Sequence, residues 1–200
     1  MKKLSLKRIE NYRLVIVDMD GTLYYQKPLR MYMFKQLLAH IFRNGWKGFK
    51  DVLVIYRFRR LRENKGLTLE VACRNLSERY DCSYEDIREI IDEWIFRLPL
   101  NGIPLFRDDI LCDSLRVLMK NECTVTILSD YPAVDKCRAL GLSCIPSFCS
   151  EQKEIGELKP SPKGIQYIMQ IYGISNPSEV LVIGDRESRD GKSAIFAGCD

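Results

Sequence analysis

The sequence predicts an α/β fold, an open parallel sheet with an all-helical insert after its first strand. Three observations predict it. Short all-apolar runs end in polar residues, amphipathic helical patterns alternate with those runs, and a long interval of helical periodicity separates the first run from the second.

Leu14-Val15-Ile16-Val17 is the first run and ends at Asp18. A run with no polar member suits a strand covered on both faces, as in parallel sheets. Thr124-Val125-Thr126-Ile127-Leu128 precedes Ser129 in the same way, and Val180-Leu181-Val182-Ile183 precedes Gly184-Asp185. Cys144 to Cys149 is a weaker strand; Pro146 has no N–H for a ladder, so an edge position is expected. Between the runs, Leu111, Leu115 and Leu118 share a helical face. Pro132 suits the first turn of a short helix that Gly141 would end. Ser161-Pro162 opens a helix along which Ile165, Ile168, Met169 and Tyr172 recur at helical spacing. Strand, helix and strand in alternation imply right-handed crossovers.

The insert reads differently. Met33, Phe34, Leu37, Leu38 and Ile41 make one helical face, and Leu69, Ala72, Cys73, Leu76 and Tyr80 another, with Thr68 as N-cap. Ser83-Tyr84-Glu85-Asp86 is a capping box with Asp in place of Glu, and Tyr84, Ile87, Ile91 and Trp94 continue its helix. Asp51 to Phe58 satisfies helix and strand patterns alike. These features place the insert at 24–105 and the sheet core at 1–23 and 106–200.

Composition narrows the chemistry. At 46% hydrophobic and 29% charged, the chain has the proportions of an ordinary globular protein. No apolar stretch reaches the ~18 residues needed to span a bilayer. Met1-Lys2-Lys3-Leu4-Ser5 runs into charged Lys7-Arg8-Ile9-Glu10, which argues against a secretory signal. Eight cysteines form no C-x-x-C pair, and His40 is the single histidine. Reduced thiols in a cytoplasmic protein are therefore expected, and no zinc site. With one histidine, Ser-His and Cys-His nucleophiles are nearly excluded, which leaves carboxylates as the reactive groups.

Ligands of an open parallel sheet bind beyond the carboxyl ends of its strands. Three strands end there in Asp18-Met19-Asp20, Ser129-Asp130 and Gly184-Asp185, and Lys159 lies in the loop before the last crossover helix. Charge suggests what they do. A carboxylate attacking a phosphoryl group needs the repulsion cancelled, and magnesium, which takes oxygen ligands, suits Asp18 and Asp185. A lysine and a hydroxyl can hold the remaining phosphate oxygens. Asp18 could attack in line, and Asp20 could protonate the leaving oxygen. Gly21 permits the tight turn that aims backbone amides at phosphate.

Asp18-Met19-Asp20-Gly21-Thr22-Leu23 after an apolar strand resembles the first motif of the haloacid dehalogenase superfamily. Ile127-Leu128-Ser129-Asp130 resembles its second, Lys159-Pro160 its third, and Gly184-Asp185 with Asp190 its fourth. The resemblance implies a Rossmann-like core with an α-helical cap that closes over the site and selects the substrate. It also implies a Mg2+-dependent phosphatase acting on a small phosphorylated metabolite through an aspartyl phosphate. Asp18 would be nucleophile and metal ligand, and Asp20 acid/base, with its carbonyl also on the metal. Asp185 would complete the metal site, and Asp190 would support it from behind the ligands or through a coordinated water. Ser129, Asp130, Lys159, Gly21 and Thr22 would surround the phosphate. Two departures from the family pattern stand out. Arg186, Glu187 and Arg189 occupy the fourth motif, where the family often has Ser or Asn. The sequence ends at Asp200, where relatives usually continue into a fifth strand, so an uncovered sheet edge is expected.

Phosphoryl transfer to a second substrate, as in a mutase, would use the same carboxylates. Dehalogenation is disfavoured because it has no use for the acid Asp20. A third alternative is a non-catalytic protein docking through its insert. From Arg43 to Lys65 eight basic and two acidic residues give +6, in a chain of net charge +4. Trp46, Phe49, Tyr56 and Phe58 interleave with Lys47, Lys50, Arg57, Arg59 and Arg60. Such a pattern can meet an anionic substrate, a membrane surface or nucleic acid. The first expectation is a solvated helix face with buried stems, the second substrate steering; nucleic-acid binding is not predicted.

Overall fold

The computed structural model describes residues 12–121 and 123–200. The amino-terminal residues that argue against a secretory signal lie outside them. Four strands, β1 (Leu14–Val17), β2 (Thr124–Ser129), β3 (Ser147–Cys149) and β4 (Val180–Ile183), form one sheet. The helices in chain order are α1 (Gln26–Lys65), α2 (Leu69–Tyr80), α3 (Tyr84–Ile91), α4 (Leu98–Leu100), α5 (Asp109–Lys120), α6 (Val134–Ala139), α7 (Lys163–Ile171) and α8 (Lys192–Ala197). The chain divides into two compact units, Met1–Tyr24 with Arg107–Asp200, and Tyr25–Phe106.

In the first unit all strand pairings are parallel and the order is β3-β2-β1-β4. The chain runs outward from β1 through β2 to β3, then returns to the far side of β1. Strand order thus reverses at β1, where a ligand crevice opens beyond the strand ends. Val17 is in register with Ile127 on one side and Ile183 on the other. That register places Asp18, Ser129 and Gly184-Asp185 along one edge. Every residue of β1 is buried, as expected of a strand covered on both faces. Leu14 and Ile16 pack with Leu128, Ile165, Ile168, Met169 and Ala194 under α7 and α8. Val15 and Val17 alternate to the opposite face, where α5 lies against β2 and buries Cys112 and Leu115. Each such side chain stabilises the sheet by about 1.5–3 kcal/mol relative to exposure.

β3 is shorter than the Cys144–Cys149 run and sits at the sheet edge. Pro146 explains the limit: it contributes only its carbonyl, which accepts from the Ile127 N–H and the Thr126 hydroxyl at 2.9 Å each. At the opposite edge, Asp200 exchanges backbone hydrogen bonds with β4, donating to Val180 and accepting from Val182. One residue thus occupies part of the edge that was expected to be uncovered. All eight cysteines are free thiols.

The regular elements of the second unit, from Gln26 to Phe106, are all helices. Asp51 to Phe58, ambiguous by pattern, is helical within α1, and Val54, Ile55 and Phe58 form its buried face. Gly45 breaks α1 into two arms with φ 54° and ψ −128°. The second arm turns back on the first: Gly48 lies so close that a Cβ would stand 2.8 Å from the His40 carbonyl oxygen. His40 Nε2 meets Asp51 Oδ2 at 2.8 Å across the turn, and its ring makes an edge contact with Trp94 at 5.0 Å. Thr68 and Ser83 cap α2 and α3, accepting from the Val71 and Asp86 N–H groups. The face expected from Met33 to Ile41 is only partly buried. Met33 joins Leu29 inside, whereas Phe34 and Leu38 are exposed, because the interior lies to one side of that stripe.

Candidate active site

The site is built at the carboxyl edge of the sheet, within the first unit. Asp18 follows β1, and its N–H donates to the Ile183 carbonyl at 2.8 Å, continuing the β1–β4 ladder by one step. The loop after it turns back through the bond from the Leu23 N–H to Met19 O. Gly21 makes that turn possible, with φ 105°, and leaves the space that Asp185 occupies: a Cβ would lie 2.3 Å from Asp185 Oδ2. Gly184 plays the same part for Asp190, whose own Cβ and Cγ stand 2.4 Å from where a side chain would begin. The two glycines let four polar segments converge.

One carboxylate oxygen each from Asp18, Asp185 and Asp190 lies within 4.8 Å of the others. Lys159 Nζ donates to Asp18 Oδ1, to Asp190 Oδ1 at 2.5 Å and to the Leu128 carbonyl at 3.3 Å. All of these groups are buried except Asp185, which faces outward. Thr22 donates its hydroxyl to the other Asp18 oxygen at 3.2 Å. Three carboxylates around one ammonium leave negative charge unbalanced. A hard divalent cation is the complement such oxygen donors fit, with Asp18 and Asp185 the nearest candidates and Asp190 beside them.

The electrostatics follow the burial. Burial pushes the Asp18 carboxyl up to about 6; Lys159 opposes the rise, and Asp190 and Asp20 add to it. Burial alone would lower Lys159, but Asp18, Asp130 and Asp190 outweigh it and hold the ammonium charged. Asp185 is raised by partial desolvation, Arg186 opposing. Asp20 differs. Burial would raise it, but the ammonium of Lys136, bonded to Oδ1 at 2.5 Å, and the Tyr24 hydroxyl bring it below the usual carboxylate range.

Ser129 is fully buried, and its hydroxyl accepts from the Tyr131 N–H at 3.2 Å. Asp130 accepts from the Lys159 N–H at 3.0 Å and from Arg189 at 3.1 Å, so its carboxylate braces the Lys159 loop. Arg189 also reaches the Lys159 carbonyl at 2.9 Å. The basic residue that departs from the family pattern thus ties the second, third and fourth motif segments together. The structure brings Asp18, Thr22, Lys159, Asp185 and Asp190 together, with Asp130 behind Lys159, while Asp20 is held apart by Lys136 and Tyr24 and is coupled to Asp18 through charge.

Sequence reasoning missed Lys136 and Tyr24. Lys136 is buried on α6, over the Tyr131 ring at 5.5 Å and against Asp20. A lysine in a short polar helix carries no periodic signal; its only cue is lying seven residues beyond Ser129 in the same loop-and-helix segment. Tyr24 marks the boundary of the insert, which is why its hydroxyl went unassigned.

Comparison with known proteins bears on the family and the fold. The family model for haloacid dehalogenase-like hydrolase matches residues 12–198. No curated protein matches. Among solved structures, the 2-haloacid dehalogenase of Pseudomonas syringae pv. Tomato DC3000 is 20% identical, with a TM-score of 0.66, covering 94% of this chain and 84% of that one. A protein of Bacillus subtilis described as the HAD-hydrolase YfnB, bound to magnesium, is 17% identical at TM-score 0.64, covering 94% and 86%. A protein of Thermotoga maritima described as a β-phosphoglucomutase is 18% identical at TM-score 0.60, covering 94% and 82%. At such identities the likeness concerns the fold.

Proposed function

Because the chain belongs to the haloacid dehalogenase-like hydrolases, we propose that it is a magnesium-dependent phosphatase hydrolysing a small phosphorylated metabolite. The observation that carries the reading is the triangle of Asp18, Asp185 and Asp190 oxygens beside Lys159. Three carboxylates would repel an anionic phosphoryl group unless a cation stood among them. A carbon–halogen bond presents no such need, and dehalogenation would leave Asp20 without a task. The reading extends to the domains as a proposal: 1–23 and 106–200 would carry the chemistry, and the helical insert at 24–105 would be a cap that selects the substrate.

Asp18, Asp185 and the carbonyl of Asp20 would hold the magnesium, with Asp190 alongside. When bound, it supplies positive charge against the phosphoryl oxygens. Asp18 attacks phosphorus in line, forming an acyl phosphate as the ester P–O bond breaks. Asp20 gives its proton to the leaving oxygen, then takes one from the water that releases phosphate and regenerates Asp18. In the arrangement seen, Lys136 and Tyr24 keep Asp20 ionised, the form needed for the second half; to serve as the acid of the first half it must take up a proton from solvent before the ester bond breaks. Lys159 neutralises the nucleophile until substrate arrives, then shares its charge with phosphate oxygens, together with Ser129, Thr22 and the Gly21 amide. Asp130 is a positioning residue for Lys159.

The test is phosphate release from an aryl phosphate and from a panel of phosphometabolites, with and without magnesium. Turnover that needs magnesium and falls about a thousandfold or more in Asp18→Asn is expected. Release of halide from a 2-haloacid, or turnover unaffected by Asp18→Asn, would overturn the reading. Appearance of a phosphorylated acceptor in excess of free phosphate would turn it into phosphotransfer.

A further inference from the structure

A helix packed in a globular unit needs one apolar stripe. The first arm of α1 carries two. Leu29 and Met33 are buried, whereas Met31, Phe34, Leu38 and Phe42, three and four residues apart, share a different face and are exposed. The exposure is greatest beside the Gly45 turn: Phe42 is 86% exposed, and Trp46, just past the turn, 69%. The Phe49 ring, also exposed, stacks on Trp46 at 5.4 Å between centroids. Lys35, Arg43, Lys47 and Lys50 flank these rings, exposed and making no ion pair among the described residues. Between Gln26 and Arg62 the only acidic residue is Asp51, and His40 holds its carboxylate.

A merely solvated face would not turn its phenylalanines and tryptophan outward, and steering a small anion needs charge but no exposed rings. Rings at the reversal of a helical hairpin, interleaved with unpaired lysine and arginine in a stretch whose one acidic residue is held by His40, match the chemistry of an anionic lipid surface. We propose that the Gly45 turn of α1 docks on an anionic bilayer, Phe42 and Trp46 entering the headgroup boundary and Arg43, Lys47 and Lys50 meeting lipid phosphates. No helix among the described residues is long and apolar enough to cross a membrane; the contact is interfacial. It stands independently of the catalytic reading, since it uses none of the sheet-edge residues.

The protein carries its own probe. Of its two tryptophans, Trp46 is exposed and Trp94 buried. The full chain would be titrated with vesicles of phosphatidylcholine alone and with about one quarter phosphatidylglycerol, at low salt and in about 0.5 M salt. Emission should shift to the blue, and the protein should sediment, only with the anionic vesicles, and less at high salt. Phe42→Ser should weaken binding about tenfold with its thermal unfolding unchanged. The Arg43→Gln, Lys47→Gln, Lys50→Gln triple variant should lose the preference for anionic vesicles. Absence of sedimentation and of shift would overturn the proposal. So would binding indifferent to Phe42→Ser, tighter binding to a single-stranded oligonucleotide, or a blue shift that grows with protein concentration alone, the sign of a second copy covering the face.

Discussion

The two units place their polar and apolar groups in opposite ways. At the sheet edge, Asp18, Lys159, Asp190 and Asp130 are buried and each has a charged partner. At the α1 turn it is the aromatic side chains that face outward, beside Lys35, Arg43, Lys47 and Lys50, which make no ion pair among the described residues. Burying a charge costs several kcal/mol unless a network satisfies it, so the first arrangement persists only where every member is held by others. Leaving a phenylalanine in water forgoes about 1.5–3 kcal/mol of burial. Each region departs from the default, and each departure is what the proposed chemistry would use, toward a phosphoryl group in one case and a surface in the other.

The sharpest way to break the contrast is to remove the central cation of the buried network. Lys159→Met should destabilise the fold by about 3–5 kcal/mol in urea denaturation, since it leaves Asp18 and Asp190 facing each other. Adding Asp190→Asn should restore part of the loss. A variant as stable as the parent would mean the network is not held by Lys159.

Titration probes the same network more gently. Asp18 is raised to about 6 in the folded chain, above its unfolded value. A raised acid contributes stability that is fully present below the unfolded pKa and is lost as pH rises through the folded one. The melting temperature of metal-free protein should therefore fall across about pH 4 to 7, a step absent from Asp18→Asn. Magnesium, favouring the ionised carboxylate, should reduce the fall. Asp20, held low, acts in the opposite sense: its contribution is present above the unfolded pKa and is lost as pH drops through the folded one.

The helical unit answers to packing instead. Gly48→Ala would drive a methyl group into the His40 carbonyl and should cost about 2 kcal/mol. The cost should appear as faster amide exchange in 26–65, with the sheet amides protected as before. Loss of protection in the sheet as well would mean that the two units unfold as one.

Much of this was legible in the residues. The Leu14–Val17 run was legible as a strand covered on both faces, and Pro146 foretold a short edge. The motif carboxylates were legible for a related reason: strand ends of a parallel sheet lie at one edge whatever their distance along the chain. Asp51–Phe58 was not, because Val54, Ile55 and Phe58 fit either period until the turn at Gly45 supplies something to pack against. Nor was the outward stripe of Phe34 and Leu38, since periodicity shows that a face is apolar but not which of two faces the interior takes.

By itself the sequence determined the strands, the order of the motifs and which carboxylates stand at the strand ends, because these rest on local pattern and on a topology with few alternatives. Only the tertiary structure decided that Lys136 and Tyr24 restrain Asp20, that Arg189 braces Asp130 and the Lys159 loop, and that Phe42 and Trp46 stand in the open. The physical reason is distance along the chain. Partners such as Lys136 and Asp20, 116 residues apart, leave no periodic trace in the sequence and meet only when the sheet has brought its strand ends to one edge.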